Sequence, residues 1–204
     1  MFSSSLSVHE GLGNSGRLRA IGGADRVSLA ELGTLLLLGS AAAAASAFLK
    51  RGTGIPGSNI IMVVFPIAFG LALVPRRGAA AAMGLSAMSC AGVFCLAGVG
   101  GIGFGALTSL ALTGLLIELV LWRARSGLQV YACLMLAGLS ANMIAFTIRA
   151  GAKIMLGPGF HGKPLAMWWQ YAIVTYAVCG LVAGAISAAV WFRFGAGKKS
   201  TAAE

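Results

Sequence analysis

Charge is scarce in this chain. Asp, Glu, Lys and Arg make up 10% of its 204 residues, against about 25% in a soluble domain. Acids are the scarcest, five against fifteen Lys and Arg. That shortage excludes a soluble fold, and it argues against paired acid–base chemistry, because Glu31 and Glu118 stand alone in separate apolar runs. His9 and His161 both lie outside such runs, so no intramembrane pair is available for a haem or pigment and no cluster suits zinc. Cys90, Cys95, Cys133 and Cys179 show no C-x-x-C spacing and read as small buried hydrophobes. The glycine-rich 101-GIGFGAL-107 lacks the lysine of a P-loop, so the chain cannot hydrolyse ATP itself; Gly101 and Gly105 read instead as a G-x-x-x-G packing pair. Alternation of polar and apolar residues is missing too, which excludes a transmembrane strand barrel. No enzymatic activity, metal or cofactor is expected.

What is present is 58% hydrophobic residues, gathered in six runs at about 27–49, 57–74, 78–97, 101–122, 127–149 and 167–192. Each approaches the twenty or so residues needed to cross a bilayer core, the second being the shortest. The expected fold is an all-α integral membrane protein, a bundle of six transmembrane helices at residues 27–193. Residues 1–26, rich in Ser and Gly, read as a flexible tail, and 194–204 as a flexible basic tail. The net charge of +10 is then topological, with no soluble basic domain to serve nucleic acid. Ten of the fifteen cations, among them Arg76, Arg77, Arg123 and Arg125, fall on the side of the termini, which places both termini in the cytoplasm and the protein in the inner or plasma membrane. Lys50, Arg51, Arg149, Lys153 and Lys163 remain outside, where no outer loop holds an acid. The outer mouth is expected to be electropositive.

Polar residues within the runs gather on that same side: Asn59, Thr108, Ser109, Asn142, Thr147, Gln170, Tyr171, Thr175 and Tyr176. Gly138, Asn142, Phe146, Arg149 and Lys153 recur at helical spacing along one face, and Trp168, Tyr171 and Thr175 do likewise on the last run. Polar side chains in a bundle point inward or line a wet cavity. The candidate substrate-binding set is therefore Asn59, Asn142, Phe146, Arg149, Lys153, Trp168, Tyr171 and Thr175. Alternatives stand beside it: Asn142 as polar glue between helices, Trp168, Trp169 and Tyr171 as an interfacial aromatic belt, and Arg149 and Lys153 as anchors to lipid phosphates. In 52-GTGIPGSN-59, Pro56 prevents helix continuation, Gly52, Gly54 and Gly57 free the chain, and Ser58 and Asn59 can cap the second helix. The segment reads as a hinged lid at Gly54, Pro56, Gly57 and Ser58. Pro66 is expected to kink the helix that follows.

Six helices in about two hundred residues, the 41-AAAAASA-47 stretch, the Gly/Pro-bearing loop 52-GTGIPGSN-59 and the turn 75-PRRGAAAAMGL-85 together resemble the substrate-binding S component of energy-coupling factor transporters. The resemblance spans most of 27–193. It implies that A-x-x-x-A pairs, Ala41 with Ala45 and Ala43 with Ala47, face a transmembrane coupling subunit, that ATPase subunits complete the complex, and that residues about 50–58 cover an outward pocket. The function expected is capture of a small anionic or amphipathic solute for ATP-driven uptake. The other expectation is an accessory or structural subunit of a larger membrane complex, without a ligand. A self-sufficient transporter is disfavoured by the lack of an inverted repeat and of an intramembrane acid pair.

Overall fold

The computed structural model describes residues 28–49, 55–74, 78–99, 104–121, 127–156 and 165–196. The expected tail 1–26 lies outside them, as do Gly54 and residues 197–204 of the expected tail 194–204, whose first three residues belong to the last helix. Six α-helices and no strand occur among the described residues: α1 (Leu29–Phe48), α2 (Ile60–Leu73), α3 (Ala79–Leu96), α4 (Phe104–Leu121), α5 (Gly127–Leu156) and α6 (Leu165–Ala196). Four of them, α1, α3, α5 and α6, are long and apolar enough to cross a membrane; α2 and α4 are apolar but shorter. The expectation of six full spans thus meets four long helices and two short ones.

Local chemistry explains the boundaries. Ser28 opens α1 with a capping box: its hydroxyl accepts from the Glu31 amide at 3.2 Å and its own amide donates to the Glu31 carboxylate at 2.9 Å. Glu31 is therefore a helix-start residue. Gly78 precedes α3 at φ +82°, a conformation that costs a side chain strain. Its amide donates to Glu118 Oε1 of α4 at 2.7 Å, so the other acid of the apolar runs pins α4 to the start of α3. The second run begins three residues later than expected. Residues 56–59 form a turn, and Asn59 makes no side-chain cap. Its backbone is already helical, whereas a capping side chain needs an extended one. Beyond it, α2 runs through Pro66 to Leu73.

The helices close into a ring in which α1 packs on α3, α3 on α4, α4 on α5, α5 on α6, α6 on α2 and α2 back on α1. α2 also touches α3, α4 and α5, which draws this shortest helix toward the middle. α5 and α6 run antiparallel, with Asn142 opposite Tyr176 and Gly138 opposite Gly180. α1 and α3 run parallel, Ser40 lying beside Ser86 and Phe48 beside Phe94. Where neighbours come closest, the residues are small. A Cβ added at Gly39 would meet the Met83 carbonyl, one at Gly114 the Ala80 carbonyl, and one at Gly184 the Leu134 carbonyl. In lipid, helix association has little hydrophobic drive and depends on such close packing.

The polarity of the faces agrees. On α6 the exposed stripe is Val174, Val178, Val182 and Ile186, while Tyr176 and Ser187 are buried. A main core runs through Leu35, Ile67, Met83, Leu110, Ile117 and Leu134, and a smaller cluster of Ala145, Ala172 and Tyr176, with Phe146 against it, sits apart from it. Ala43 and Ala47, expected to face a partner helix, are buried in this chain's own interior together with Ala42, whereas Ala41 is exposed and Ala45 half-buried.

Candidate functional site

The smaller cluster is built around Asn142, near the middle of α5 and only 2% exposed. Its Nδ2 donates to the Tyr176 carbonyl of α6 at 2.7 Å and to the Gly57 carbonyl at 3.3 Å. One amide therefore ties α5, α6 and the turn ahead of α2. Gly57 is required there twice over. Its φ of +84° belongs to the left-handed region, and an added Cβ would lie 2.9 Å from Tyr176 Cγ and 3.1 Å from Asn142 Nδ2.

Tyr176 is the centre of the arrangement. Besides its carbonyl, its ring lies 5.5 Å from that of Phe146, tilted by 59°, and its hydroxyl accepts from Arg149 Nη1 at 3.3 Å. Arg149 is half-buried, and Lys153, one turn further, is 8% exposed. Gly105, at the start of α4, lets α4 approach closely: a Cβ there would fall 3.3 Å from the Ala145 carbonyl and 3.8 Å from Arg149 Cβ. The acids among the described residues, Glu31 and Glu118, both lie at the opposite end of the bundle. A guanidinium with its planar fork of donors, beside a phenol and an aromatic wall, is the chemistry of carboxylate or phosphate recognition. No group of three or more His, Cys, Asp or Glu suited to a metal occurs among the described residues.

Of the residues singled out on sequence grounds, the structure brings Asn142, Phe146 and Arg149 to one place with Gly57, and Lys153 continues their face. Pro56 and Ser58 are half-buried in the same turn. Asn59 adjoins it with an exposed side chain that makes no capping hydrogen bond. Tyr171 stands apart, 57% exposed on the outer stripe of α6. Thr175 is half-buried but bonds back to the Tyr171 and Ala172 carbonyls of its own helix, at 3.0 Å each. The Trp168 side chain lies outside the described residues. Missing from the sequence-based site was Tyr176, one position after Thr175. A helix turns 100° per residue, so the Trp168–Tyr171–Thr175 face is not the Ala172–Tyr176 face that enters the bundle.

These features define a protein that is all-helical among the described residues, with four helices long and apolar enough to cross a membrane and a polar cluster off its main core. Comparison of the chain with protein-family models, with curated proteins and with solved structures gave no match.

Proposed function

We propose that the protein is a membrane-embedded capture subunit for a small anionic or amphipathic solute. It works with a transmembrane coupling subunit and ATPases, as its likeness to the S components of energy-coupling factor transporters implies. In this reading all six helices lie in the bilayer, both termini are cytoplasmic and the Arg149 end faces outward. The observation that supports it best is the Arg149–Tyr176 contact, because it sets a cation and an aromatic pair beside the turn that ties to Asn142, at the end remote from Glu31 and Glu118. An anion seated on Arg149 gains a charge-assisted bond.

Native mass spectrometry of protein purified gently from its own membranes tests the proposal: a retained small anion and co-isolated ATPase subunits are the expected result. For an anion so found, Arg149→Ala removes about 1.5–3 kcal/mol, so affinity falls by about ten- to a hundredfold while the yield of folded protein holds. Unchanged affinity reduces Arg149 to a lipid anchor. The second reading, a structural subunit of a larger membrane assembly, is favoured by one observation: both bonds of the Asn142 amide go to backbone carbonyls of its own chain. A large co-purifying complex free of ATPases is its signature.

A further inference from the structure

The depth of the turn ahead of α2 carries a consequence for water. Gly84 of α3 and Gly114 of α4 lie against each other, and from that level α3 continues twelve residues to Leu96 while α4 reaches back ten to Phe104. The two helices thus stop within about 3 Å of each other. α1 stops there too, since Phe48 at its last position meets Phe94 at 5.5 Å. Gly105 sets this shared level beside Ala145 and Arg149. Asn142 lies seven residues, about 10 Å, farther into the bundle than Arg149, and it holds Gly57 at 3.3 Å. The shortness of α2 agrees, for its 14 residues span about 21 Å of a hydrocarbon core about 30 Å thick.

Non-helical backbone at that depth is tolerated only inside protein or against water. Gly57 is half-buried and bonded. Asn59, two residues on, is exposed, and its side-chain amide makes no capping hydrogen bond. Facing lipid, such an amide loses its hydration without replacement, which is unfavourable. We infer that the Pro56–Asn59 turn, read from the sequence as a lid, is instead the floor of an aqueous recess open at the Arg149 end, where the Asn59 amide meets an uncharged hydrogen-bonding portion (amide or hydroxyl) of a small polar solute. The solute part rests on the capture reading; the recess does not. Asn59 is then the specificity contact at the bottom, below the Arg149 guanidinium, and the Asn142–Gly57 bond keeps the floor in place.

The test compares two single-cysteine variants, Asn59→Cys and Phe65→Cys, in a chain whose four native cysteines are replaced by alanine. Phe65, exposed one and a half turns along α2, supplies the reference. Membranes are opened by freeze–thaw, so that a charged, membrane-impermeant methanethiosulfonate reaches both faces. That reagent needs a hydrated thiolate. The Asn59→Cys thiol is expected to label at least about tenfold faster than the Phe65→Cys thiol, since ionisation is suppressed in lipid. Equal, slow labelling of both in folded protein, with both labelled at the full rate once the protein is denatured, overturns the recess. Asn59→Asp guards against misfolding: a carboxylate in water leaves the melting temperature nearly unchanged, whereas one in lipid abolishes folded protein and refutes the inference. Fast labelling of Asn59→Cys in a protein that retains no solute keeps the recess and removes the capture reading. Slow labelling in a protein that does retain one removes the recess alone.

Discussion

The two halves of the α5–α6 pair are held together by opposite means. In one half Gly138, Gly180 and Gly184 bring backbone against backbone, Gly138 facing the Gly180 carbonyl and Gly184 facing that of Leu134. In the other, beginning one turn away at Asn142, contact passes through side chains: an amide, two aromatic rings and a guanidinium. Backbone contact tolerates no added atom and leaves no room. Side-chain contact tolerates change, and it leaves polar groups at the Arg149 end of the bundle. Close backbone packing and polar side-chain contact are thereby assigned to different lengths of the same two helices.

The largest effect expected from this contrast is on the glycine half. Gly138→Leu must push α6 away, because its Cβ strikes the Gly180 carbonyl, which cannot rotate aside. The cost is about 3 kcal/mol or more, at the upper end of overpacking, and detergent-solubilised protein should lose its monodisperse peak and its cooperative melting. Gly151→Ala, in the same helix with nothing within 4 Å of the new Cβ, should melt at least as high as the parent, since alanine favours helix by about 1 kcal/mol. Equal damage from the two substitutions would remove the distinction between the halves.

Next in size is Gly57→Ala. It combines a left-handed backbone with a Cβ 2.9 Å from the Tyr176 ring, for about 1–3 kcal/mol of strain. The turn should detach while the glycine half stays closed. Hydrogen exchange is the measurement that separates them: amides at the start of α2 should lose protection, and those near Gly138 and Gly184 should keep it. Uniform loss of protection would mean that the turn and the seam fold as one unit.

Much of this was legible in the sequence, and the omissions have physical causes. Apolar runs locate helices reliably because lipid admits little else. The Asn142–Phe146–Arg149–Lys153 face was readable because four polar or aromatic residues in register leave one phase for the helix. α6 offered two phases, Thr175 and Tyr176 being adjacent, and only the glycines at 180 and 184, a visible G-x-x-x-G, could have chosen between them. The start of α2 was placed too early because Gly57–Asn59 looks like a cap, while the force that shapes it is a hydrogen bond from 85 residues away. The alanines of α1 carry no phase at all: all five of 41–45 are alike, so composition cannot tell a face buried in the chain's own core from one offered to a partner.

The smallest effect expected on stability, and the sharpest on the contrast, is that of Tyr176→Phe. It removes only the hydroxyl that accepts from Arg149 at 3.3 Å. The ring against Phe146 and the carbonyl that holds Asn142 remain, so both halves of the pair stay joined. A side-chain hydrogen bond of this kind contributes about 0.5–1.5 kcal/mol, which should appear as a slight fall in melting temperature. Its effect on recognition has a definite sign. The phenol orients the guanidinium, and without it Arg149 must give up more rotamer freedom to meet an anion. Affinity for whatever anion native mass spectrometry finds should therefore weaken, by less than the loss caused by Arg149→Ala. If Tyr176→Phe binds more tightly instead, the hydroxyl competes with the anion for Arg149, and the contact in this structure is one that the solute must displace.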